Sequence, residues 1–188
     1  MKFRTKVLIT AVLTAAISVT ISTSFPTKGK TRSVESTDVH IASAQCLAKN
    51  MYYEARNQGT AGWLAVTAVV LNRVNDKRFP NSVCEVVRQG PTRPSWKNPT
   101  KSYPIRNRCQ FSWYCDGKSD VPRPGNLWKD SQRVAKVILQ RHLNSKLLDI
   151  TDGSTHYHAN WMEEYPRWST QRKKLVSIDQ HIFYGERL

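Results

Sequence analysis

Residues 61–74, AGWLAVTAVVLNRV, are apolar on almost every side of a helical wheel. A helix with no polar face has to be covered all round, so this stretch predicts a central buried helix with other elements packed about it. Thr60 is its expected N-cap, and Gly59 the expected C-cap of the helix before it. That earlier helix is expected over 39–57, with Asp38 as N-cap and apolar residues at helical spacing at 41, 44, 47, 48, 51 and 55. Ser82 and Glu85 fit a capping box opening a short helix to about Arg88. Leu127, Ser131, Val134, Ile138 and His142 mark a further helix over roughly 126–143. The segments 155–159 and 176–184 alternate as short strands do, and Asp152-Gly153 signals a turn before the first of them.

The two ends of the composition differ. Lys2, Arg4 and Lys6 form a basic start, and residues 7–25 carry no charge. This is the charge plan of a secretory signal, and its length is close to the ~20 residues that span a bilayer as an anchor. Residues 26–38 are polar and read as a linker, so the globular domain is expected over 39–188. Four cysteines, Cys46, Cys84, Cys109 and Cys115, suit an exported protein with two disulfides. Three pairings are open; the expected one closes the short aromatic loop with Cys109–Cys115 and ties the first helix to the third with Cys46–Cys84. The net charge is +15, and the leader holds three of the cations and no acid, which leaves +12 on the rest. For an exported chain, such a charge points to anionic cell-envelope surfaces. The leader and the dispersal of basic residues along the chain argue against nucleic acid.

Glu54 is the only acid between Val39 and Leu71, and it stands in the run NMYYEARN. A lone carboxyl among aromatics is disfavoured in its charged form, which raises its pKa into the range a general acid uses at neutral pH. It lies three residues after Met51 and seven after Leu47, at the border of the helix's buried face. The competing reading is an exposed Glu paired with Arg56 or Lys49. His156 and His158 share one strand face and, with His181, have the composition of a three-histidine metal site, but nothing in the spacing brings the three together. No metal and no cofactor are expected. Loop 90–108 holds four prolines, five basic residues and no acid, together with Trp96 and Tyr103, and is expected to lack regular structure.

The run from Ala48 to Val87, then CQFSW with CDG, then THYHANW, PRWS and IDQHIFY, resembles the SleB/CwlJ-type cell wall hydrolases, the spore-cortex-lytic enzymes and their relatives in proteobacteria and phages. The resemblance covers about residues 41–185. It implies a lysozyme-like α+β fold, mainly helical with a small antiparallel sheet, acting on the glycan strand of peptidoglycan. It also implies that the catalytic glutamate of the family's Tyr-x-Glu-Ala-Arg motif falls on Glu54. Asn57-Gln58 stand where the family has Gly-Glu, and the basic loop is long, so a small exported or phage-encoded lysin fits better than a spore enzyme.

The chemistry inferred from the residues is compatible with one carboxylate. Ordinary glycosidases need two, whereas a lytic transglycosylase uses the substrate's own 6-hydroxyl as nucleophile, so that proximity is built in. Asp116, Asp120, Asp152, Glu163 and Glu164 are the candidates for a second carboxylate in a hydrolytic muramidase. The substrate groove is expected to be walled by Tyr53, Gln110, Phe111, Ser112, Trp113, His156, Tyr157, His158 and Trp168, with His156 or Tyr157 beside Glu54. A monomer is expected. A glycan-binding module without chemistry would use the same aromatics and charge.

Overall fold

The computed structural model describes the backbone of residues 28–187 and the side chains from Thr37 onward. The leader expected over 1–25 lies outside the described residues, and among those described no helix is long and apolar enough to cross a membrane. Helices α1 (Lys28–Glu54), α2 (Thr60–Asn75) and α3 (Val83–Val87) come first. A two-stranded hairpin of β1 (Thr92–Pro94) and β2 (Ser102–Pro104) follows, then a 3-10 turn (Ser112–Cys115) and helix α4 (Asn126–Leu143). A three-stranded antiparallel sheet closes the chain: β3 (His156–Ala159), β4 (Arg172–Ile178) and β5 (His181–Arg187), in the order β3-β5-β4. A second 3-10 turn, Arg167–Gln171, leads into β4.

Helix α2 is the buried centre: Ala65 to Leu71 are all shielded from solvent. Leu47, Met51, Val70, Val86, Val87, Phe111, Ala135 and Ile138 join α1, α3 and α4 around it. On its other side Ala65 and Val69 meet Phe183 of β5. The core therefore has two parts: a helical cluster, and a smaller helix-on-sheet contact that brings β3 up against the end of α1. The cysteines pair as Cys46–Cys84 and Cys109–Cys115, the first tying α1 to α3.

Four local expectations are corrected. The stretch 176–184, expected as one strand, turns back at Asp179 and Gln180 and is divided between β4 and β5. Helix α1 begins at Lys28, not at the Asp38 cap, so residues 28–38 of the expected linker are helical. Gly59 takes the N-cap position of α2 with an extended backbone, and Thr60 is the first helical residue. The open N-terminus of α2 is instead closed from a distance: Asp179, in the β4–β5 turn, accepts from the Gly62 N–H at 2.8 Å. The basic loop also has structure. Residues 92–94 and 102–104 pair in register, Arg93 opposite Tyr103. Neither strand has a buried face, and so no apolar alternation advertised them. The Ser82 cap holds as expected, its hydroxyl accepting from the Glu85 N–H and donating to the Glu85 carboxylate.

Candidate active site

Two residues near the end of α2 place the strand that faces Glu54. Asn72 donates through Nδ2 to Asp149 Oδ2 at 2.9 Å and to the Ser154 carbonyl at 3.0 Å. Asp149 in turn accepts from the N–H groups of Thr151 and Gly153, fixing the turn before β3. Arg73 donates through Nε to the Thr155 carbonyl at 2.7 Å. Strand β3 thus leaves α2 in a set register, and its pleat sends Tyr157 to one face and His156 and His158 to the other.

Tyr157 faces the end of α1. Its hydroxyl donates to Glu54 Oε2 at 2.9 Å. Glu54 is the last residue of α1 and is only partly exposed. Burial of its carboxyl pushes the pKa up to about 7, against the Tyr157 hydrogen bond and the Arg73 charge, which both favour the ionised form. Tyr157 is pushed well above the usual tyrosine range by burial and by the neighbouring carboxyl, so it remains a proton donor to Glu54. Arg56 stacks on the Tyr52 ring, 4.5 Å from its centroid, and among the described residues no salt bridge engages Glu54. The surface ion-pair reading of Glu54 does not hold.

Glu54 opens into a cleft of about 360 Å³ walled by Tyr53, Arg73, Gln110 to Trp113, Tyr157, Trp161 and His181. Among the described residues it is the only acidic side chain on that wall. Asn50 accepts from Trp113 Nε1 at 3.1 Å, and the Trp113 ring stacks on Tyr53 with centroids 4.8 Å apart. Disulfide Cys109–Cys115 brackets the same wall. A second hollow of about 700 Å³ shares Tyr53, Ser112 and Trp113 with the cleft and extends past Arg56, Asp116, Lys118 and Arg123. The two hollows adjoin through those three residues, with Glu54 in the first of them. A third hollow, about 660 Å³, is lined by residues between Val74 and Glu85, and there Arg78 holds Asp76 down to about 2, so that carboxyl is ionised at neutral pH.

The expected groove residues therefore divide. Tyr53, Gln110, Phe111, Ser112, Trp113 and Tyr157 converge on Glu54. Phe111 and Trp113 are also core residues, so each serves wall and core at once. His158 borders the cleft, but its ring is committed: Nδ1 lies 2.9 Å from the Ala159 carbonyl and Nε2 2.9 Å from the Tyr184 hydroxyl. His156 and Trp168 belong to the opposite face of the sheet, packed on each other at 5.6 Å with Phe79 and Tyr184 nearby. The odd-even alternation of β3 that carries Tyr157 to Glu54 carries the two histidines away from it. His181 lies on the Tyr157 side, 4.8 Å between ring centroids, within reach of Gln58 Nε2 at 3.0 Å. The three histidines do not converge, and among the described residues no cluster of His, Cys, Asp or Glu has the makings of a metal site. Burial holds both His156 and His181 down to about 4, with neighbouring cations adding to it for His156 and His158 for His181. Sequence reasoning did not place Trp161, Met162 or His181 on this wall, and above all it missed Arg73. A basic residue in the last turn of a helix reads as a favourable partner of the helix dipole, and only the fold shows it turned inward.

An α+β domain with a single desolvated carboxyl in an aromatic groove defines the class to which the chain belongs. Residues 57–184 match the model of the Cell Wall Hydrolase family, and the chain belongs to that family. The match begins three residues after Glu54, so that residue lies just outside it. The catalytic domain of the Bacillus cereus SleB protein is a structural relative at a TM-score of 0.51 and 24% identity, covering 76% of this chain and 89% of that one. The catalytic domain of the germination-specific lytic transglycosylase SleB from Bacillus anthracis aligns at 0.51 and 25%, covering 76% and 93%. The lysozyme-like α+β fold expected from the sequence is the one these domains share. A spore cortex-lytic enzyme of Bacillus subtilis is 49% identical over 41 residues, a stretch that spans 22% of this chain and only 13% of that relative's length.

Proposed function

We propose that the chain cleaves the glycan strand of peptidoglycan as a lytic transglycosylase, with Glu54 as the single general acid and base. The observation that carries this reading is that, among the described residues, Glu54 alone supplies a carboxyl to the cleft, with a pKa near neutrality. Protonated, it donates to the glycosidic oxygen as the bond to the anomeric carbon breaks. The resulting carboxylate is held by the Tyr157 hydroxyl and the nearby Arg73 charge. It then removes the proton from the 6-hydroxyl of the muramic acid sugar, whose oxygen closes on the anomeric carbon. A 1,6-anhydro ring forms, and Glu54 ends protonated, ready for another cycle. No water enters and no cofactor is required.

Glu54→Gln is expected to keep the fold and lose about two to four orders of magnitude in rate, the usual worth of acid–base catalysis. A hydrolytic muramidase is the second reading, because Asp116 lines the adjoining hollow and is the acid best placed to activate a water. Asp116→Asn separates the two. It should lower turnover less than tenfold if Glu54 works alone; a loss as deep as that of Glu54→Gln would mark a two-carboxylate enzyme.

The uncharged segment 7–25 behind a basic start, with the two disulfides, supports export to the periplasm or beyond, as a free domain or one tethered by that segment. The β1–β2 hairpin supports contact with the anionic envelope. Arg93, Lys97, Lys101, Arg106 and Arg108 are all exposed there, beside Trp96 at 87% and Tyr103 at 52% exposure. Such a surface speeds capture of a polyanionic particle and leaves the chemical step alone.

A further inference from the structure

Arg73 is more deeply committed to the cleft than anchoring β3 requires. The residue is 4% exposed. Its guanidinium lies between two rings, 5.1 Å from the centroid of Phe79 and 5.3 Å from that of Phe111. Nε is satisfied by the Thr155 carbonyl, but Nη1 is buried and meets no acceptor among the described residues. The group lines the same cleft as Glu54. Burial lowers its pKa to about 10, so it is still a cation at neutral pH. A buried donor on a charged group without a partner is costly to maintain. It persists where an incoming ligand supplies the acceptor.

We infer that Arg73 forms an acceptor subsite in which Nη1 takes the carbonyl oxygen of an N-acetyl group on the sugar beside the scissile bond. This deepens the glycan-strand reading and rests on it. An amide carbonyl is the strongest neutral acceptor that such a strand offers; its hydroxyls and ring ethers are weaker. The surroundings suit the rest of the group. Phe111, Trp161 and Met162 give the methyl apolar wall, and the ring pair that grips the guanidinium fixes the direction of its fork. The contact would also hold the sugar's anomeric carbon in a set relation to the Glu54 carboxyl, so Arg73 binds and orients without moving a proton.

The test is equilibrium binding to the full-length Glu54→Gln protein, which does not consume its ligand. Three soluble glycan fragments are compared by calorimetry: the native N-acetylated fragment, the same fragment de-N-acetylated, and that product re-acetylated as a control. Work at pH about 9 keeps the freed amine largely neutral, since such amines titrate near 8. The expected result is that the N-acetylated fragments bind about ten- to a hundredfold tighter, the usual worth of a hydrogen bond to a charged group. Adding Arg73→Gln should collapse that preference while affinity for the de-N-acetylated fragment changes little. Arg73→Lys, which keeps the charge but loses the fork, should also weaken the preference, and it carries the comparison if the Gln variant does not fold. Equal affinity for the native and de-N-acetylated fragments in the Arg73 protein overturns the inference without any further variant. So does a preference that survives both substitutions. If none of the fragments binds and the unsubstituted protein releases no glycan, the glycan-strand reading fails as well; cleavage with no N-acetyl preference sinks the subsite alone.

Discussion

Replacing Glu54 with Gln should make the protein more stable above neutral pH while removing its activity. The carboxyl titrates at about 7 in the folded chain against an ordinary value of 4.5. Between those values the native state holds a proton that the unfolded chain releases, so stability falls as pH rises through the window and levels off above 7. At about 1.4 kcal/mol per unit, the shift amounts to about 3 kcal/mol by pH 8. Gln has nearly the shape of the protonated acid and still accepts from Tyr157, so the variant escapes that loss. Below about pH 4 both proteins carry a neutral group there and should be almost equally stable. His156 and His181, held neutral by burial, work in the other sense, costing stability as pH falls from 6.5 toward 4. They are common to both proteins and cancel in the difference. Denaturant unfolding of the two proteins at several pH values between 4 and 8.5 reads the effect directly. A stability difference that stays flat across that range would refute the reasoning, because it would mean the carboxyl is not desolvated in the native state.

Two other outcomes are expected. Tyr157→Phe removes a hydrogen bond that favours the Glu54 carboxylate; the fall of kcat/KM on the alkaline side should therefore move to higher pH, and an unmoved or lower limb in the pH profile would contradict the contact's role. Changing Arg93, Lys97, Lys101, Arg106 and Arg108 together to Ser should weaken binding to whole sacculi most at low salt, where screening is least, and reduce turnover of short soluble fragments far less; sacculus binding that is unaltered at low salt would leave the hairpin without this function.

What could be read from the sequence was what depends on local pattern. The apolar wheel of 61–74 gave the central helix, the spacing of 127–142 gave α4 at its true ends, and the solitary acid among aromatics marked a carboxyl that the structure places on the cleft wall. Tyr157 beside Glu54 was reachable because a short strand offers only two faces. The same two-face logic did not say which face, and so His156 and Trp168 were expected on the wrong side of the sheet. The β1–β2 hairpin escaped because a ribbon exposed on both sides has no reason to alternate, and its prolines sit at the strand ends. The β4–β5 turn carries neither Gly nor Pro; it bends at Asp179 with φ at +48°, and that residue also caps α2 across the chain. Arg73 was hidden for the same kind of reason. Its inward position is set by Thr155 and Phe111, both far away in sequence, together with Phe79 just past the end of α2.

The central claim is a one-carboxylate reaction at Glu54, and the mass of its product tests it most directly. Purified peptidoglycan is digested with the protein, and the released muropeptides are weighed without prior reduction. The account predicts glycan ends lighter by one water than hydrolysed ends, the signature of a 1,6-anhydro ring, and their absence when Glu54→Gln is used. Release of ordinary reducing ends by the unsubstituted protein would contradict it, since a water would then have taken the place assigned to the sugar's own hydroxyl.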